Sequence, residues 1–198
     1  CRDARALRRG RGKVTPSSYL SLQKERVDAY IDRYLLPETF KPESIHKAIR
    51  YSVFSGGKRF RAGLCIAACE TFGGDTDWVI PVASGIELIH TYSLIHDDVP
   101  CMDDDDLRRG KPTLHKVFGE NIAVLAGDAL NALAFDLVSR ANDCRLIRVL
   151  AHAIGTEGMI GGQVADVESV ERSDISAEDV EFIHTRKTAA LIRASLEM

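Results

Sequence analysis

The chain has 198 residues, 45% hydrophobic and 28% charged, enough for one globular domain with a sizeable core and unlike a disordered segment. Its 26 basic and 29 acidic residues leave a net charge of −3, which argues against general nucleic-acid binding. Five cysteines, Cys1, Cys65, Cys69, Cys101 and Cys144, are odd in number and scattered, so no disulfide framework is expected and a reducing, cytoplasmic setting is the default.

The chain opens without an initiator Met on a basic stretch, Arg2, Arg5, Arg8, Arg9, Arg11 and Lys13 against Asp3. Residues 1–17 read as a basic, flexible terminus, with an organelle-targeting remnant as the alternative, ahead of one domain over residues 18–198. A trimmed or partly represented chain is expected. Helical periodicity then dominates, and strand alternation is scarce. Helices are expected at Ser18–Leu35, Pro42–Phe54, Phe60–Phe72, Trp78–Asp98, Glu120–Ala141, Cys144–Ile160 and from Ala177 to the end. Pro37, Gly56-Gly57, Gly73-Gly74, Pro112, Asn142-Asp143 and Gly161-Gly162 punctuate them. The expected architecture is all-α: a helical bundle with a ligand cavity between facing helices.

Two candidate elements precede the acidic centre. Lys58 and Arg61 follow Gly56-Gly57 and, three apart, would share a helix face, where they could clamp a diphosphate on a closely approaching backbone. Cys65 and Cys69 sit in an apolar run and read as small core residues rather than zinc ligands. No uninterrupted run of eighteen apolar residues exists: Ile122–Val138 is broken by Asp128, Asn131 and Asp136, so no membrane span is expected. Asp128 reads as a hydrogen-bonding acid within the bundle, and Asp136 as an acid that could face solvent.

From Asp97 to Arg109, six carboxylates and two guanidiniums occupy thirteen residues. Mg²⁺ favours a few carboxylate oxygens with phosphates filling its other positions, and arginine forks grip phosphate oxygens, so the segment suits Mg²⁺ and phosphate together. Asp97 lies one helical turn beyond Ser93 and two beyond His90, on one face. Pro100 disfavours helix at Val99, which places the acids from Asp103 onward on a turn. Acids at a helix C-terminus are unfavourable by a few tenths to ~1 kcal/mol unless a cation offsets them. An EF-hand fails, because Leu107 or Arg108 falls where an oxygen ligand and then Gly are required. Further on, Gln163 and Asp166 are three apart and could line one helix face.

These residues carry a resemblance. Asp97-Asp98-x-x-x-x-Asp103 with Leu107-Arg108-Arg109-Gly110 resembles the first aspartate-rich motif of the trans-isoprenyl diphosphate synthases (polyprenyl synthetases), in its form expanded by two residues. Gly56-Gly57-Lys58-Arg59-Phe60-Arg61, Gly162-Gln163-Val164-Ala165-Asp166 and Lys187-Thr188 resemble three further motifs of that family, in its order, over the chain from about residue 20 onward. The resemblance implies the isoprenoid-synthase helical bundle with aspartates at the mouth of a central cavity, and a homodimer. It implies isopentenyl diphosphate held by Lys58, Arg61, His90 and Arg109, an allylic diphosphate held by Arg108, Lys187 and Thr188, and Gln163 facing the allylic substrate. It implies Mg²⁺ on Asp97, Asp98 and Asp103, with those acids and Lys187 as the catalytic set. The implied reaction ionises the allylic diphosphate and alkylates isopentenyl diphosphate.

Product length should depend on how far a prenyl chain runs beneath Asp97, about one isoprene unit per helical turn of ~5 Å. Tyr92, five residues before Asp97 and beside the small Ser93, would act as a floor, and this pattern resembles the bacterial-type farnesyl diphosphate synthases. A C15 product is expected, with a C20, geranylgeranyl product as the alternative. One departure stands against the agreements: the family's second aspartate-rich motif, downstream of Lys-Thr, is absent before Met198, so a C-terminal part is expected to be missing. Two rivals remain. A non-catalytic regulatory subunit of a heteromer would not need to retain Asp97, Asp98, Asp103, Arg108 and Arg109. A His-Asp phosphohydrolase would need His96 as a metal ligand.

Overall fold

The structure, a computed structural model, describes residues 15–198. The basic stretch at residues 1–14 lies outside the described residues. Helix α1 (Pro16–Tyr34) starts two residues before the expected Ser18, because Thr15 caps it. The Thr15 hydroxyl accepts from the Ser18 amide at 3.2 Å, Ser18 returns a bond to Thr15, and Pro16 supplies a preset first turn. Helices α2 (Glu43–Val53), α3 (Phe60–Thr71) and α4 (Thr76–Asp97) follow with short links. Asp75 caps α4, accepting from the Asp77 amide at 2.9 Å. Pro81 lies inside α4 without ending it.

Helix α4 is the axis of the bundle. Val79 to Leu88 are all buried, as are Ile89, Thr91, Tyr92 and Ile95, so α4 has no solvent face over most of its length. Its partner is α6 (Glu120–Ser139), whose Ala123, Ala126, Gly127, Leu130, Ala134, Leu137 and Val138 are buried. Between α4 and α6 lie a two-residue hairpin, β1 (Leu107–Arg108) with β2 (Lys111–Pro112), and the short α5 (Leu114–Phe118). Arg109 (φ 55°) and Gly110 (φ 76°) form its turn, with the two left-handed residues of a type I′ connection. Neither the hairpin nor α5 is expected from periodicity, since two-residue strands carry no alternation to read.

The C-terminal half corrects two expectations. The helix expected over Cys144–Ile160 is two helices, α7 (Cys144–Ile154) and α8 (Met159–Ser169), with the break at Gly155–Gly158 rather than at Gly161-Gly162. Gly161 and Gly162 lie inside α8, where they permit close approach instead of ending the helix. A Cβ on Gly162 would fall 2.1 Å from the Lys187 amide nitrogen. The helix expected from Ala177 to the end is α9 (Ala177–Ile183) and α10 (Ala190–Glu197), joined by a π-helical turn at His184–Ala189. Such turns are rare inside α-helices and are frequently found at functional sites.

Composition and length alone would let α4 (mean hydropathy 1.3) and α6 (1.6) cross a membrane, which the interrupted apolar run did not lead one to expect. Burial in the bundle covers 78% of the apolar window of α4 but only 39% of that of α6. Asp128 is also corrected: its side chain is 63% exposed rather than bonded within the bundle. Asp136 is paired with Arg140 on the surface. Cys65 is a buried core residue, as expected, and Cys69 is half-buried, its thiol facing the Asp75 carbonyl at 3.6 Å.

Contact between α4 and α6 depends on Gly85, where a Cβ would fall 2.6 Å from Val138 Cγ2 and 2.8 Å from the Ala134 carbonyl oxygen. Because one of those atoms is backbone, the helices themselves would have to separate. Gly85→Ala is therefore expected to destabilise the protein by about 1–3 kcal/mol despite the higher helix propensity of alanine, read as a lowered urea midpoint. An unchanged or raised midpoint would show that the two helices yield freely here.

Candidate active site

One cavity of about 710 Å³ opens among α3, α4, α6, α8 and the π-helical turn. Arg61, His90, Tyr92, Ser93, Asp97, Gln163, Lys187 and Thr188 line it, and Met159, Ile160, Val164 and Val167 form an apolar wall. Residues from four separate motifs thus converge. His90, Ser93 and Asp97 share the cavity face of α4, as their spacing predicts.

The cationic side is built on Gly56 and Gly57, both near φ 110°. Gly57 has no side chain where the Arg109 guanidinium lies, since a Cβ would be 2.6 Å from Arg109 Nη1. Arg109 donates to the Gly56 carbonyl. Lys58 precedes α3 and does not share a helix face with Arg61, because Arg59 turns the chain through a left-handed conformation (φ 49°) before the helix begins. Arg61 is in the first turn of α3 and lines the cavity. Lys58 and Arg109 do not. Burial holds the Arg61 and Arg109 guanidiniums below their ordinary range, and burial together with the charges of Arg61, Arg109, Arg59 and Arg108 pushes His90 down to about 3. His90 is therefore a neutral imidazole at neutral pH.

The acidic side stands at the end of α4. Asp97 is the last helical residue and Asp98 the C-cap, and the chain then turns so that the Asp103 amide donates to the Asp97 carbonyl at 2.9 Å. Burial is the main cause raising the Asp97 carboxyl to about 6, opposed by Lys187 and reinforced by Asp103. Asp98 does not line the cavity and is only 4% exposed. Arg108 holds it through Nε at 2.6 Å and Nη2 at 2.5 Å, and also binds Asp105 at 3.1 Å. Among the described residues no three acidic, histidine or cysteine side chains converge closely enough to cage a metal. The donors themselves, carboxylate oxygens of Asp97, Asp98 and Asp103, are those a hard divalent cation prefers, and both Arg108 contacts fall on Asp98 Oδ1 rather than Oδ2.

Opposite the acids, the π-helical turn carries Lys187 and Thr188 into the cavity. Lys187 Nζ is 2.5 Å from Asp166 Oδ2 of α8, a pairing consistent with the nearby glycine at 162. The two amide atoms of the half-buried Gln163 are buried and unpartnered, as is Arg61 Nε, so the cavity lining carries polar atoms suited to a ligand. His96 lines the cavity, with its Nε2 3.0 Å from the Val124 carbonyl and 3.9 Å from Asp128 Oδ1, and packs over Gly127.

Sequence reasoning missed the groups beneath the cationic side. Arg59 and Glu87, both buried, join Asp28 under the Gly-Gly turn. A signal was present, since Glu87 is the lone acid between Trp78 and His96 in an otherwise apolar helix.

The polyprenyl synthetase family profile matches residues 42–198, and the chain belongs to that family. It is 51% identical over 189 residues to the heterodimeric geranylgeranyl pyrophosphate synthase large subunit 1, chloroplastic, of Arabidopsis thaliana, covering 90% of this chain and 50% of that protein. It is 55% identical over 163 residues to the chloroplastic geranylgeranyl pyrophosphate synthase of Catharanthus roseus, covering 79% and 46%. The chain thus spans about half the length of the curated relatives it matches. Among solved structures, an FPP/GFPP synthase from Zymomonas mobilis superposes with a TM-score of 0.84 at 42% identity, over 91% of this chain and 69% of that one. The fold is the all-α isoprenoid-synthase bundle.

His90 should remain neutral through the physiological range. Its folded value lies below that of the unfolded chain, so the unfolded state binds the extra proton between about pH 3 and 6.5 and stability rises with pH across that window. The His90 imidazole resonance is expected to stay flat from pH 5 to 8, and His90→Gln to flatten part of the rise in stability. A midpoint near 6.5 would contradict this.

Proposed function

We propose that this chain contributes the substrate cavity of a Mg²⁺-dependent prenyltransferase that condenses isopentenyl diphosphate with an allylic diphosphate. The observation that carries the reading is the convergence of Arg61, His90, Asp97, Gln163, Lys187 and Thr188 on one cavity with an apolar wall. Lys58, Arg61, His90 and Arg109 are assigned to isopentenyl diphosphate, and Arg108, Lys187 and Thr188 to the allylic diphosphate. Held by Asp97, Asp98 and Asp103, Mg²⁺ would supply the Lewis acidity that favours departure of the allylic diphosphate. That departure breaks the allylic C–O bond, and the electron pair leaves with the diphosphate. The double bond of isopentenyl diphosphate then attacks the allylic cation, and a proton is lost to the released diphosphate. The chain's own part is to orient the two substrates and exclude water from the cation, for which the apolar wall is suited.

The finer product assignment favours geranylgeranyl diphosphate over the farnesyl product expected from Tyr92. The plant relatives named above are called geranylgeranyl pyrophosphate synthases, which supports this product. Tyr92 also lies along α4, its ring edge-on to His96 of the next turn (5.5 Å, 86°), an arrangement better suited to the cavity wall than to a floor across it. The structural neighbours include farnesyl-type enzymes, which keeps the C15 product as the alternative.

For the partner and compartment, the same relatives are named chloroplastic, and this supports the organelle alternative over the cytoplasmic default. The large-subunit relative supports a heteromer beside the expected homodimer, and the exposed apolar Leu125 on α6 is suited to either. The contact of His96 with the Val124 carbonyl speaks against the His-Asp phosphohydrolase, which needs His96 on a metal.

Full-length protein supplied with Mg²⁺, isopentenyl diphosphate and dimethylallyl diphosphate is expected to yield a C20 alcohol after dephosphorylation, identified by mass. A C15 alcohol would restore the farnesyl reading, and no product from folded protein would shift the weight to a regulatory subunit. Tyr92→Ala is expected to leave the product length unchanged, because the ring lies along the wall; a product longer by one or more isoprene units would restore Tyr92 as the floor. Mg²⁺ affinity, measured by calorimetry, is expected to fall as pH drops through about 6, where Asp97 takes up its proton. An affinity flat between pH 5 and 7 would remove Asp97 from the metal site.

A further inference from the structure

Glu87 is a carboxylate in the most buried stretch of the molecule, 3% exposed in the middle of α4, and it does not reach the cavity. Its Oε1 accepts from the Ala62 amide at 3.1 Å, and its Oε2 lies 3.9 Å from Arg59 Nη1. Ala62 is in the first turn of α3, where backbone amides have no partner within the helix. The N-cap of that helix is Arg59, whose side chain makes no capping bond. Glu87 therefore caps α3 from a different helix. Arg59 is only 4% exposed, and its guanidinium is spanned by Asp28 (Nε at 2.7 Å), by the Val53 carbonyl and by Glu87.

These contacts determine where two cavity groups, Arg61 and His90, and the neighbouring Arg109 stand. Arg61 is one residue from the capped amide. His90 is one turn along α4 from Glu87. Arg109 rests on the glycine turn that Arg59 closes, and Glu87 is the attractive charge felt by both Arg61 and Arg109. Without Glu87, three arginines would crowd a low-dielectric region with Asp28 alone as a close counter-ion.

We propose that Glu87 is a positioning residue for the non-allylic diphosphate cradle: by capping α3 and countering Arg59 it holds Arg61, His90 and Arg109 in register for one diphosphate. This rests on the assignment of that cradle to isopentenyl diphosphate under the proposed function. Glu87 touches neither substrate. Its effect is confined to one of two substrates, because the acids and Lys187 on the far side of the cavity share no contact with it.

The test is steady-state kinetics on full-length protein with each substrate varied in turn. Glu87→Gln keeps an oxygen for the Ala62 amide and removes the charge. The expected result is at least a tenfold rise in KM for isopentenyl diphosphate, with KM for the allylic diphosphate within twofold. Equal rises in both, or no rise in either, would overturn the proposal as a structural or silent effect. Asp28→Asn disturbs Arg59 from the partly exposed side and is expected to give the same selective rise in smaller measure. Should Glu87→Gln not fold, an unchanged isopentenyl diphosphate KM in Asp28→Asn overturns the proposal. Failure of the underlying assignment is seen separately, in unsubstituted protein that shows no saturation with isopentenyl diphosphate.

Discussion

The near-complete burial of α4 is the constraint on which the rest of the structure depends. A helix with no solvent face must either match every polar group to a partner or aim it at a cavity, since an unpaired buried polar group is costly. On α4 both solutions appear in sequence, with the buried and unpartnered Ser84 hydroxyl as the exception. Glu87 takes the Ala62 amide, Thr91 donates to the Glu87 carbonyl at 2.8 Å, and Ser93 donates to the His90 carbonyl at 3.0 Å. His90 and Asp97 face the cavity. The helix that forms the core is for that reason also the helix that carries the site, and rigidity of the packing becomes precision in placing its polar groups.

The two adjacent arginines of the hairpin show how a local turn divides the site into a cationic and an acidic side. Arg108 belongs to a strand and reaches back to Asp98 and Asp105, whereas Arg109 occupies the left-handed turn and reaches the Gly56 carbonyl. One peptide unit separates guanidiniums that serve opposite sides. Arg108 offsets the negative cluster that collects at the C-terminus of α4, where the helix dipole disfavours anions. Close approach performs the matching task elsewhere: Gly57 admits Arg109, Gly162 admits the π-helical turn with Lys187, and Gly85 admits α6.

Much of the bundle was legible from the sequence because helical periodicity, caps and glycine breaks are local. The face shared by His90, Ser93 and Asp97 follows from spacing along one helix. The break placed at Gly161-Gly162 failed for a physical reason: glycine marks both a chain reversal and a close helix contact, and only the neighbouring backbone at Arg186 and Lys187 distinguishes them. Lys58 and Arg61 were likewise assigned one helix face, and the left-handed Arg59 between them removed it. The meeting of Arg59, Glu87 and the half-buried Asp28 in one ion-pair group was beyond reach, since residues 29–86 separate its ends.

The sequence by itself determined the helical character of the chain, the acids after α4, the expectation of Mg²⁺ and diphosphate chemistry, and the family, because each depends on residue type and spacing over a few turns. Tertiary structure alone decided that Asp98 is held by Arg108 outside the cavity lining, that Lys187 enters on a π-helical turn against Asp166, and that a carboxylate on α4 caps α3. Those outcomes depend on which backbones approach within a few ångströms, and that is set by packing between distant segments rather than by any local pattern.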